Sequence, residues 1–339
     1  MKTIILTKPG QLQLQETALQ EDVAADEALL KVHRIGVCGT DMHAFNGKQP
    51  FFSYPRILGH ELGVEVVKVG SAVTHVKPGD RCAVEPYFYT SDDYAVQRGK
   101  TNCAEKISVF GVHEDGGMRE YITLPAKFLH PSGKLSYDQL ALVETLGIGC
   151  HAVNRAEVKK EDTVLVIGSG PIGLATIQFA KVKGGKVVVM DMNESRLQFC
   201  QETMGVDGTI NPTGGDVEQK LREAFDGHLP TVVFDATGNA QSMHNAFQYP
   251  DHGGKLVFIG LFQGDVSFND PLFHKKELTL LASRNALSAD FEEIIKLIEA
   301  GEIDTMPWIT HRAPFAEVVN SFPDWLKPEH KVIKAMIEV

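Results

Sequence analysis

Short apolar runs broken by Gly, Pro and Asp dominate the first 145 residues of the chain. The runs ALLKVHRIGV, LGVEVVKVG, DRCAV and REYITLP have the length and β-branched content of strands, and helical periodicity is scarce among them. From about residue 150 the apolar runs TVLVIGSG, KVVVMDMN and TVVFDATG alternate with the helix-period segments PIGLATIQFAKVKG and ESRLQFCQETMG. Strands that alternate with helices predict a parallel, doubly wound sheet with helices on both faces.

The end of the chain returns to the first pattern. ADFEEIIKLIEAGEI predicts an amphipathic helix, and HKVIKAMIEV predicts a closing strand. We therefore predict an α/β plus β fold class, in which a β-rich domain over residues 1–147 is completed by residues 288–339. An α/β domain over residues 148–287 interrupts it.

Composition narrows the classes of partner. The chain has 339 residues, enough for two domains with separate cores. A formal net charge of -11 argues against nucleic acid or an anionic membrane as a partner. Five scattered cysteines predict reduced thiols rather than a disulfide framework, and no apolar run is long enough to span a bilayer. We expect a cytoplasmic protein.

The segment VLVIGSGPIG predicts a dinucleotide site. Gly168, Gly170 and Gly173 have the G-x-G-x-x-G spacing between a strand and a helix, with Pro171 and Ile172 opening the helix. The first two glycines allow a tight turn and a close approach to a pyrophosphate, and the third allows helix and strand to pack closely. The helix N-terminus presents free N–H groups to the phosphates.

The end of the next strand predicts which dinucleotide binds. Asp191 stands about twenty residues after the glycines, where a carboxylate accepts hydrogen bonds from both ribose hydroxyls and repels a 2′-phosphate. NAD is therefore favoured over NADP. Arg196 follows on the next helix, where it either flanks the adenosine or is a solvated helix residue.

The segments GVCGTDMH and LGHELG predict a metal site. Cys38 supplies a thiolate, His60 an imidazole and Glu61 a carboxylate, a set typical of a catalytic zinc with one open coordination position. Taken singly, each residue also has an ordinary structural role, as a small buried side chain, a core histidine or a surface charge. Their combination with a cofactor motif is what indicates zinc.

The order of motifs along the chain resembles the zinc-dependent medium-chain dehydrogenases, particularly their polyol (sorbitol-type) branch. GVCGTDMH, YPRILGHELG, KPGDRCAV, ALVETLGIGCHA and VLVIGSGPIG appear in the family order, over essentially the whole chain. The resemblance implies a GroES-like catalytic domain and a Rossmann NAD-binding domain, with the active site in the cleft between them. It also implies a small-molecule substrate and a homodimer or homotetramer.

The resemblance assigns roles residue by residue. Cys38, His60 and Glu144 match the zinc ligands of the polyol branch. Glu61 matches the carboxylate that holds or exchanges with water on the zinc. Asp41 matches the acid that orients the histidine ligand.

One position departs from the branch, and one alternative ligand stays open. Thr145 stands where the branch usually has proline after the glutamate. Cys150, six residues past Glu144, is an alternative third ligand, although on a helix it points away from that position. In the implied oxidation, Thr40 resembles the relay hydroxyl that takes the substrate proton, and His43 or the cofactor ribose takes it next.

Residues 86–105 match a lobe that usually holds a structural zinc through C-x2-C-x2-C-x7-C. The four ligand positions here are Thr90, Asp93, Val96 and Ala104. Cys103 is one residue out of register, so the chain predicts one catalytic zinc and no structural zinc. We expect packing against another subunit, or packing of the lobe's aromatic residues, to hold it in place of the metal. Those residues are Tyr87, Phe88, Tyr89 and Tyr94.

The substrate prediction also comes from the resemblance. NGKQPFFSYPRILGHE, CAEKISVFGVHEDGG and FHKKELTLLASRNA look closest to bacterial hexonate 5-dehydrogenases and their starvation-sensing relatives. We predict NAD-dependent oxidation of a secondary alcohol of a sugar acid, with L-gulonate (giving D-fructuronate) slightly preferred and L-galactonate or another polyol or aldonate as the alternative. The residues expected to meet the substrate and its carboxylate are Arg284, Asn285, Lys48 and His113.

Two other classes compete with this reading. A zinc-free quinone or enoyl reductase has the same fold, and a non-catalytic scaffold can keep the cofactor site without turnover. Cys38, His60 and Glu144 together argue against the reductase. Metal analysis separates both alternatives from the enzyme, since one zinc per chain supports the enzyme and none supports either alternative.

Overall fold

The computed structural model of the chain describes residues 1–49 and 52–339 and divides them into two units. The first unit comprises Met1–Thr145 and Leu287–Val339, and the second comprises Leu146–Ala286. The first is built on an antiparallel-rich sheet and the second on a parallel sheet. The fold class predicted from the sequence, α/β plus β, is confirmed.

Strands and helices are numbered separately in chain order. The strands are β1 (Lys2–Lys8), β2 (Gln11–Glu16), β3 (Glu27–Gly36), β4 (Glu61–Val69), β5 (Arg81–Val84), β6 (Tyr87–Tyr89), β7 (Ile107–Val109), β8 (Tyr121–Pro125), β9 (Leu129–Pro131), β10 (Thr163–Ile167), β11 (Lys186–Met190), β12 (Gly208–Ile210), β13 (Val232–Asp235), β14 (Lys255–Phe258), β15 (Thr279–Ala282), β16 (Ile309–Pro314) and β17 (Lys334–Glu338). The helices are α1 (Gly39–Phe45), α2 (Tyr94–Gln97), α3 (Tyr137–Ala156), α4 (Pro171–Val182), α5 (Glu194–Glu202), α6 (Val217–Ala224), α7 (Ala240–Asn245), α8 (Asp270–Lys275), α9 (Ser288–Glu299) and α10 (Val318–Trp325).

The main sheet of the first unit places three chain segments side by side. Its strand order is β16-β17-β3-β4-β5-β9, and β8 also pairs with β3. The antiparallel register pairs Gly36 with both Glu61 on β4 and Met336 on β17. Apolar side chains of β3, β4 and β17 fill the core of this unit. The start of β4 therefore lies across from the end of β3, next to the start of α1.

The second unit contains a six-stranded parallel sheet in the order β12-β11-β10-β13-β14-β15. Its central strand β10 is buried on both faces, which explains why TVLVI reads as a continuous apolar run rather than an alternating one. From β10 the chain adds β11 and β12 on one side, and it then returns to add β13, β14 and β15 on the other side of β10. In doubly wound sheets, ligands bind at the carboxyl ends of the strands beside such a reversal.

The lobe over residues 86–105 is organised by a carboxylate. Asp93 caps the short helix α2, where its Oδ1 accepts from the backbone N–H groups of Ala95 (3.0 Å) and Val96 (3.2 Å). Its Oδ2 accepts from the hydroxyl of Ser91 (2.6 Å) and from the N–H of Glu105 (2.9 Å), which closes the lobe. These four bonds pull together chain segments that a metal ion would otherwise gather.

The aromatic residues of the lobe contribute unequally. Phe88 packs on Phe128 with ring centroids 4.6 Å apart, and Tyr89 meets the same ring edge-on. The prediction for Tyr94 is wrong, because 71% of its surface is exposed. Within the described residues, its one aromatic or cation contact is with the guanidinium of Arg98. Its position on a one-turn helix at the surface points the ring outward.

We expect Asp93→Ala to loosen the lobe, because it removes the cap of α2 and the link to Glu105 together. Hydrogen exchange of the amides of Ala95, Val96 and Glu105 should become several-fold faster. Asp92→Ala is the matched control, since the recorded contact of Asp92 is made by its backbone oxygen. Equal exchange in the two variants, or a larger effect of Tyr94→Ser, would contradict the role of Asp93.

Candidate functional site

The start of α1 is tied to the loop before β4 by one buried carboxylate. The N–H of Cys38 donates to Asp41 Oδ2 at 2.9 Å, and the N–H of Gly59 donates to Asp41 Oδ1 at 3.4 Å. Burial raises the pKa of Asp41, although His60 and the two N–H donors oppose this shift. The two segments that carry Cys38 and His60 are thereby held next to each other.

His60 has an unsatisfied ring nitrogen beside this carboxylate. Its Nδ1 lies 3.8 Å from Asp41 Oδ1, too far for a hydrogen bond, and finds no other partner in the described chain. Burial by itself lowers the pKa of His60, but the neighbouring Cys38, Asp41 and Glu144 charges outweigh burial and raise it well above 6.5. The anionic groups around the imidazole thus favour a positive charge at His60.

Three of the expected metal-site residues come together here. Donor atoms of Cys38, His60 and Glu61 all lie within 4.8 Å of one another. A thiolate, an imidazole and a carboxylate match the ligand preference of Zn²⁺. A bound cation would also balance the negative charge of the groups around His60. The residues therefore fit a zinc ion.

Glu61 has a buried cation as its partner, which sequence reasoning missed. The Nζ of Lys334 on β17 donates to both carboxylate oxygens, at 2.6 and 2.7 Å, and each side chain is 1% exposed. Burial lowers the pKa of Lys334, but Glu61 and other nearby anions outweigh it, so the net shift is upward. Gly36 leaves the room that the carboxylate fills, because a Cβ there would collide with Glu61 Oε2.

The unusual Thr145 belongs to the same group. Lys334 Nζ also donates to Thr145 Oγ1 at 3.2 Å and to the carbonyl oxygen of Val37 at 3.4 Å. A proline at position 145 would lack this hydroxyl acceptor. The departure from the polyol branch therefore adds a hydrogen-bond acceptor to a buried cation.

Glu144 lies outside the group of three but is coupled to it. Burial raises its pKa and His60 opposes this, while the charge of Glu61 adds to the rise. The hydroxyl of Tyr87 donates to Glu144 Oε1 at 2.6 Å, and both side chains are buried. Burial, followed by the charge of Glu144, raises the pKa of Tyr87 well above 10, so the phenol stays a donor. Tyr87 had been expected only to pack.

The remaining candidates of the first unit lie on or near surface segments. Thr40 is partly buried in the first turn of α1, while His43 is exposed on the same helix. Lys48 is exposed just beyond α1, and its N–H donates to the carbonyl of His43. His113 is exposed and accepts from the N–H of Val109 through Nδ1, which places it in a local turn.

The glycine motif of the second unit has the predicted conformations. Gly168 has a φ of 92°, a left-handed value that a residue with a side chain would strain to adopt. Gly170 precedes α4, Pro171 and Ile172 form its first turn, and a Cβ on Gly173 would collide with the carbonyl oxygen of Gly168. The third glycine thus permits the close approach of helix and strand.

Asp191 is oriented by the residue between the first two glycines. Its Oδ2 accepts from both the N–H (2.7 Å) and the hydroxyl (2.6 Å) of Ser169, and its Oδ1 accepts from the N–H of Asn193 at 2.9 Å. Arg196 donates to the carbonyl oxygen of Ser169 at 3.2 Å. A cavity of about 600 Å³ opens here, lined by Gly168, Gly170, Asp191, Arg196, Thr237 and other residues.

Three further candidates lie in the second unit. Arg284 is exposed after β15, and the following Asn285 has a left-handed φ of 52°. Cys150, the alternative ligand, is fully buried in α3, and the amide of Asn154 lies 3.5 Å from its sulfur. Among the described residues, no helix combines the length and apolarity needed to cross a membrane.

Two family models match the chain. The model described as "Alcohol dehydrogenase GroES-like domain" matches residues 24–134, and the one described as "Zinc-binding dehydrogenase" matches residues 171–300. The first contains Cys38, His60 and Glu61, and the second contains Asp191.

Individual relatives match over nearly their full length. An L-galactonate-5-dehydrogenase of Escherichia coli K12 is 40% identical over 99% of this chain and 98% of its own. The crystal structure of an Escherichia coli CFT073 alcohol dehydrogenase (rspB) with NADH has a TM-score of 0.93 at 29% identity and covers 100% of this chain and 99% of its own. A zinc-binding dehydrogenase of Sinorhizobium meliloti bound to NADP has a TM-score of 0.91 at 26% identity, with 100% and 99% covered.

Lys334→Met should lower the free energy of unfolding by about 3–5 kcal/mol, because it leaves the buried carboxylate of Glu61 without its cation. Urea denaturation of the zinc-loaded protein measures this loss. Adding Glu61→Gln should recover part of it.

Lys327→Met is the control, since Lys327 forms an exposed ion pair with Asp324 that contributes little. If both lysine variants were equally stable, the buried pair would not stabilise the first unit.

Proposed function

Because this chain belongs to the zinc-type medium-chain alcohol dehydrogenases, we propose that it oxidises a secondary alcohol of a sugar acid to a ketone with NAD as the hydride acceptor. The observation that carries the proposal is the donor set of the partly buried Cys38 and the buried His60 and Glu61, whose ligand atoms lie within 4.8 Å of one another. A buried cluster of anionic and imidazole groups is costly unless a cation occupies it. The family assignment makes the chain an oxidoreductase of polyols or sugar acids.

Cys38, His60 and Glu144 would hold the zinc, with Glu61 beside it. When bound, zinc supplies Lewis acidity that lowers the pKa of a substrate hydroxyl. The negative charge of Asp41, 3.8 Å from His60 Nδ1, would favour a proton on that nitrogen and leave Nε2 as the ligand atom. Lys334 holds both oxygens of Glu61 and so restrains that carboxylate from competing with the substrate.

The proton released by the alcohol needs an acceptor on the chain. Thr40 is two residues after Cys38 and is partly buried, which suits a hydroxyl that takes the proton from the substrate. His43 follows on the exposed side of α1 and can pass the proton to solvent. These two roles extend the relay expected from the family resemblance.

NAD fits the second unit better than NADP. The backbone N–H and the hydroxyl of Ser169 hold Asp191 Oδ2, which orients the carboxylate at the position where an adenosine ribose binds in this type of fold. A 2′-phosphate placed there would meet that negative charge. Arg196 is engaged with the carbonyl oxygen of Ser169, which opposes its use as a phosphate anchor.

A hexonate fits best as substrate. The relative named for L-galactonate moves the preference from L-gulonate toward L-galactonate, and both present a secondary alcohol and a carboxylate. Arg284 is the first candidate for meeting that carboxylate, because it is an exposed cation just after β15, followed by Asn285 with a left-handed φ of 52°. Lys48 and His113 are the next candidates.

The two competing classes have less support. A zinc-free quinone or enoyl reductase has no need for the clustered donors of Cys38, His60 and Glu61, or for the lysine that pairs with Glu61. A non-catalytic scaffold has no need for a donor set with an open position.

The proposed function is tested with zinc-loaded protein and NAD. L-galactonate and L-gulonate should both be oxidised, with kcat/KM above that of sorbitol, and the protein should hold one zinc per chain. Arg284→Ala should raise KM for the hexonates by about 10–100-fold and leave sorbitol nearly unchanged, because a charge-assisted hydrogen bond contributes about 1.5–3 kcal/mol. NADH formation and metal analysis give the two readouts.

Lys275→Ala is the matched control for Arg284→Ala, since it also removes a cation from the second unit. Oxidation of neutral polyols alone would refute the sugar-acid assignment. Turnover that survives complete zinc removal would refute the zinc mechanism.

Asp191→Ala should weaken the cofactor preference. The unchanged protein should use NAD better than NADP by well over tenfold in kcat/KM, where each tenfold corresponds to about 1.4 kcal/mol. The variant should lose most of that preference, whereas Glu202→Ala, which removes an exposed carboxylate at the end of α5, should keep it. Equal use of both cofactors by the unchanged protein would show that Asp191 does not select between them.

A further inference from the structure

Tyr87 makes a buried side-chain contact that joins the base of the lobe to a candidate zinc ligand. Its hydroxyl donates to Glu144 Oε1 at 2.6 Å, across 57 residues of sequence. Tyr87 is 2% exposed and Glu144 is 6% exposed. The distance is typical of a strong O–H to carboxylate bond, and burial excludes water as a competing partner.

The direction of the phenol is determined by two elements of the first unit. The backbone of Tyr87 pairs with Val109 in the β6–β7 ladder, which holds the residue at the start of the lobe. Its ring meets the ring of Phe291 on α9 edge-on, with centroids 6.3 Å apart at 75°. Because its backbone is paired in the β6–β7 ladder and its ring contacts Phe291, Tyr87 has little freedom to turn its hydroxyl away from Glu144.

The hydrogen bond makes the two oxygens of Glu144 inequivalent. Oε1 accepts from Tyr87, which makes it the weaker metal ligand and favours Oε2 for that role. A carboxylate on a flexible glutamate otherwise exchanges between one-oxygen and two-oxygen ligation, or turns away. In a site that needs an open position for substrate, two-oxygen ligation would consume that position.

We propose that Tyr87 is a positioning residue that orients Glu144 to present a single oxygen to the zinc. The inference rests on the proposed function, since it takes Glu144 as a zinc ligand. It also gives the lobe a role at the catalytic site, because the first strand of the lobe supplies the phenol that holds Glu144.

Tyr87→Phe tests the inference, because it removes one oxygen and keeps the ring. We expect zinc affinity, measured by competition with a chelator, to fall about 10–100-fold, the usual effect of losing a partner of a metal ligand. The visible absorption of the Co²⁺-substituted protein should shift, since the number or geometry of its oxygen ligands changes. Tyr89→Phe is the matched control, as it removes a hydroxyl from the same face of the same strand.

A double substitution separates this inference from the proposed function. Glu144→Ala alone should weaken zinc binding, and adding Tyr87→Phe should then cause no further loss, because the phenol acts only through that carboxylate. If Glu144→Ala left zinc affinity unchanged, the ligand set of the proposed function would be wrong. If Glu144→Ala weakened it but Tyr87→Phe left both affinity and the Co²⁺ spectrum unchanged, the positioning role alone would be refuted.

Discussion

Burial of negative charge is the constraint around which the first unit is built. Asp41, Glu61 and Glu144 are all at most 6% exposed, and a carboxylate removed from water is strongly destabilising unless it is paired. Each has a different partner on the chain: backbone N–H groups for Asp41, an ammonium for Glu61 and a phenol for Glu144. Lys334 is the partner with a full positive charge. The remaining negative charge is what a bound zinc ion would balance.

The strand order of the main sheet brings a buried carboxylate and its cation together. Glu61 opens β4, and its cation comes from β17 at the other end of the chain, 273 residues away. Both strands flank β3, so the pair forms only when the last segment of the chain joins the sheet. Gly36 on β3 leaves the space between them. The C-terminal strand therefore completes the charge balance of the site as well as the sheet.

Features that depend on neighbouring residues could be predicted from the sequence, whereas contacts between residues far apart in the chain could not. The strands, the parallel sheet and the glycine motif were predictable because they depend on local periodicity and on backbone conformations that few residues adopt. Cys38, His60 and Glu61 were recognisable as a candidate set by their chemistry. Lys334 and Tyr87 were not, because a lysine or tyrosine that meets one distant carboxylate leaves no periodic signal. Tyr94 was assigned to packing on its residue type alone, and a one-turn helix turned it to solvent.

In the lobe, a carboxylate stands at one of the positions where the family resemblance expects ligands of a structural zinc. A four-thiolate zinc site gathers several chain segments by strong bonds to one ion, and one thiol cannot do so. Asp93 gathers the same kind of segments by accepting four hydrogen bonds, a weaker device that depends on geometry and not on metal supply. A carboxylate suffices here because the strands at the base of the lobe are already anchored by aromatic packing on Phe128. The proposed role of Tyr87 requires a rigid base, whereas it makes no such requirement of the tip, which bears the exposed Tyr94.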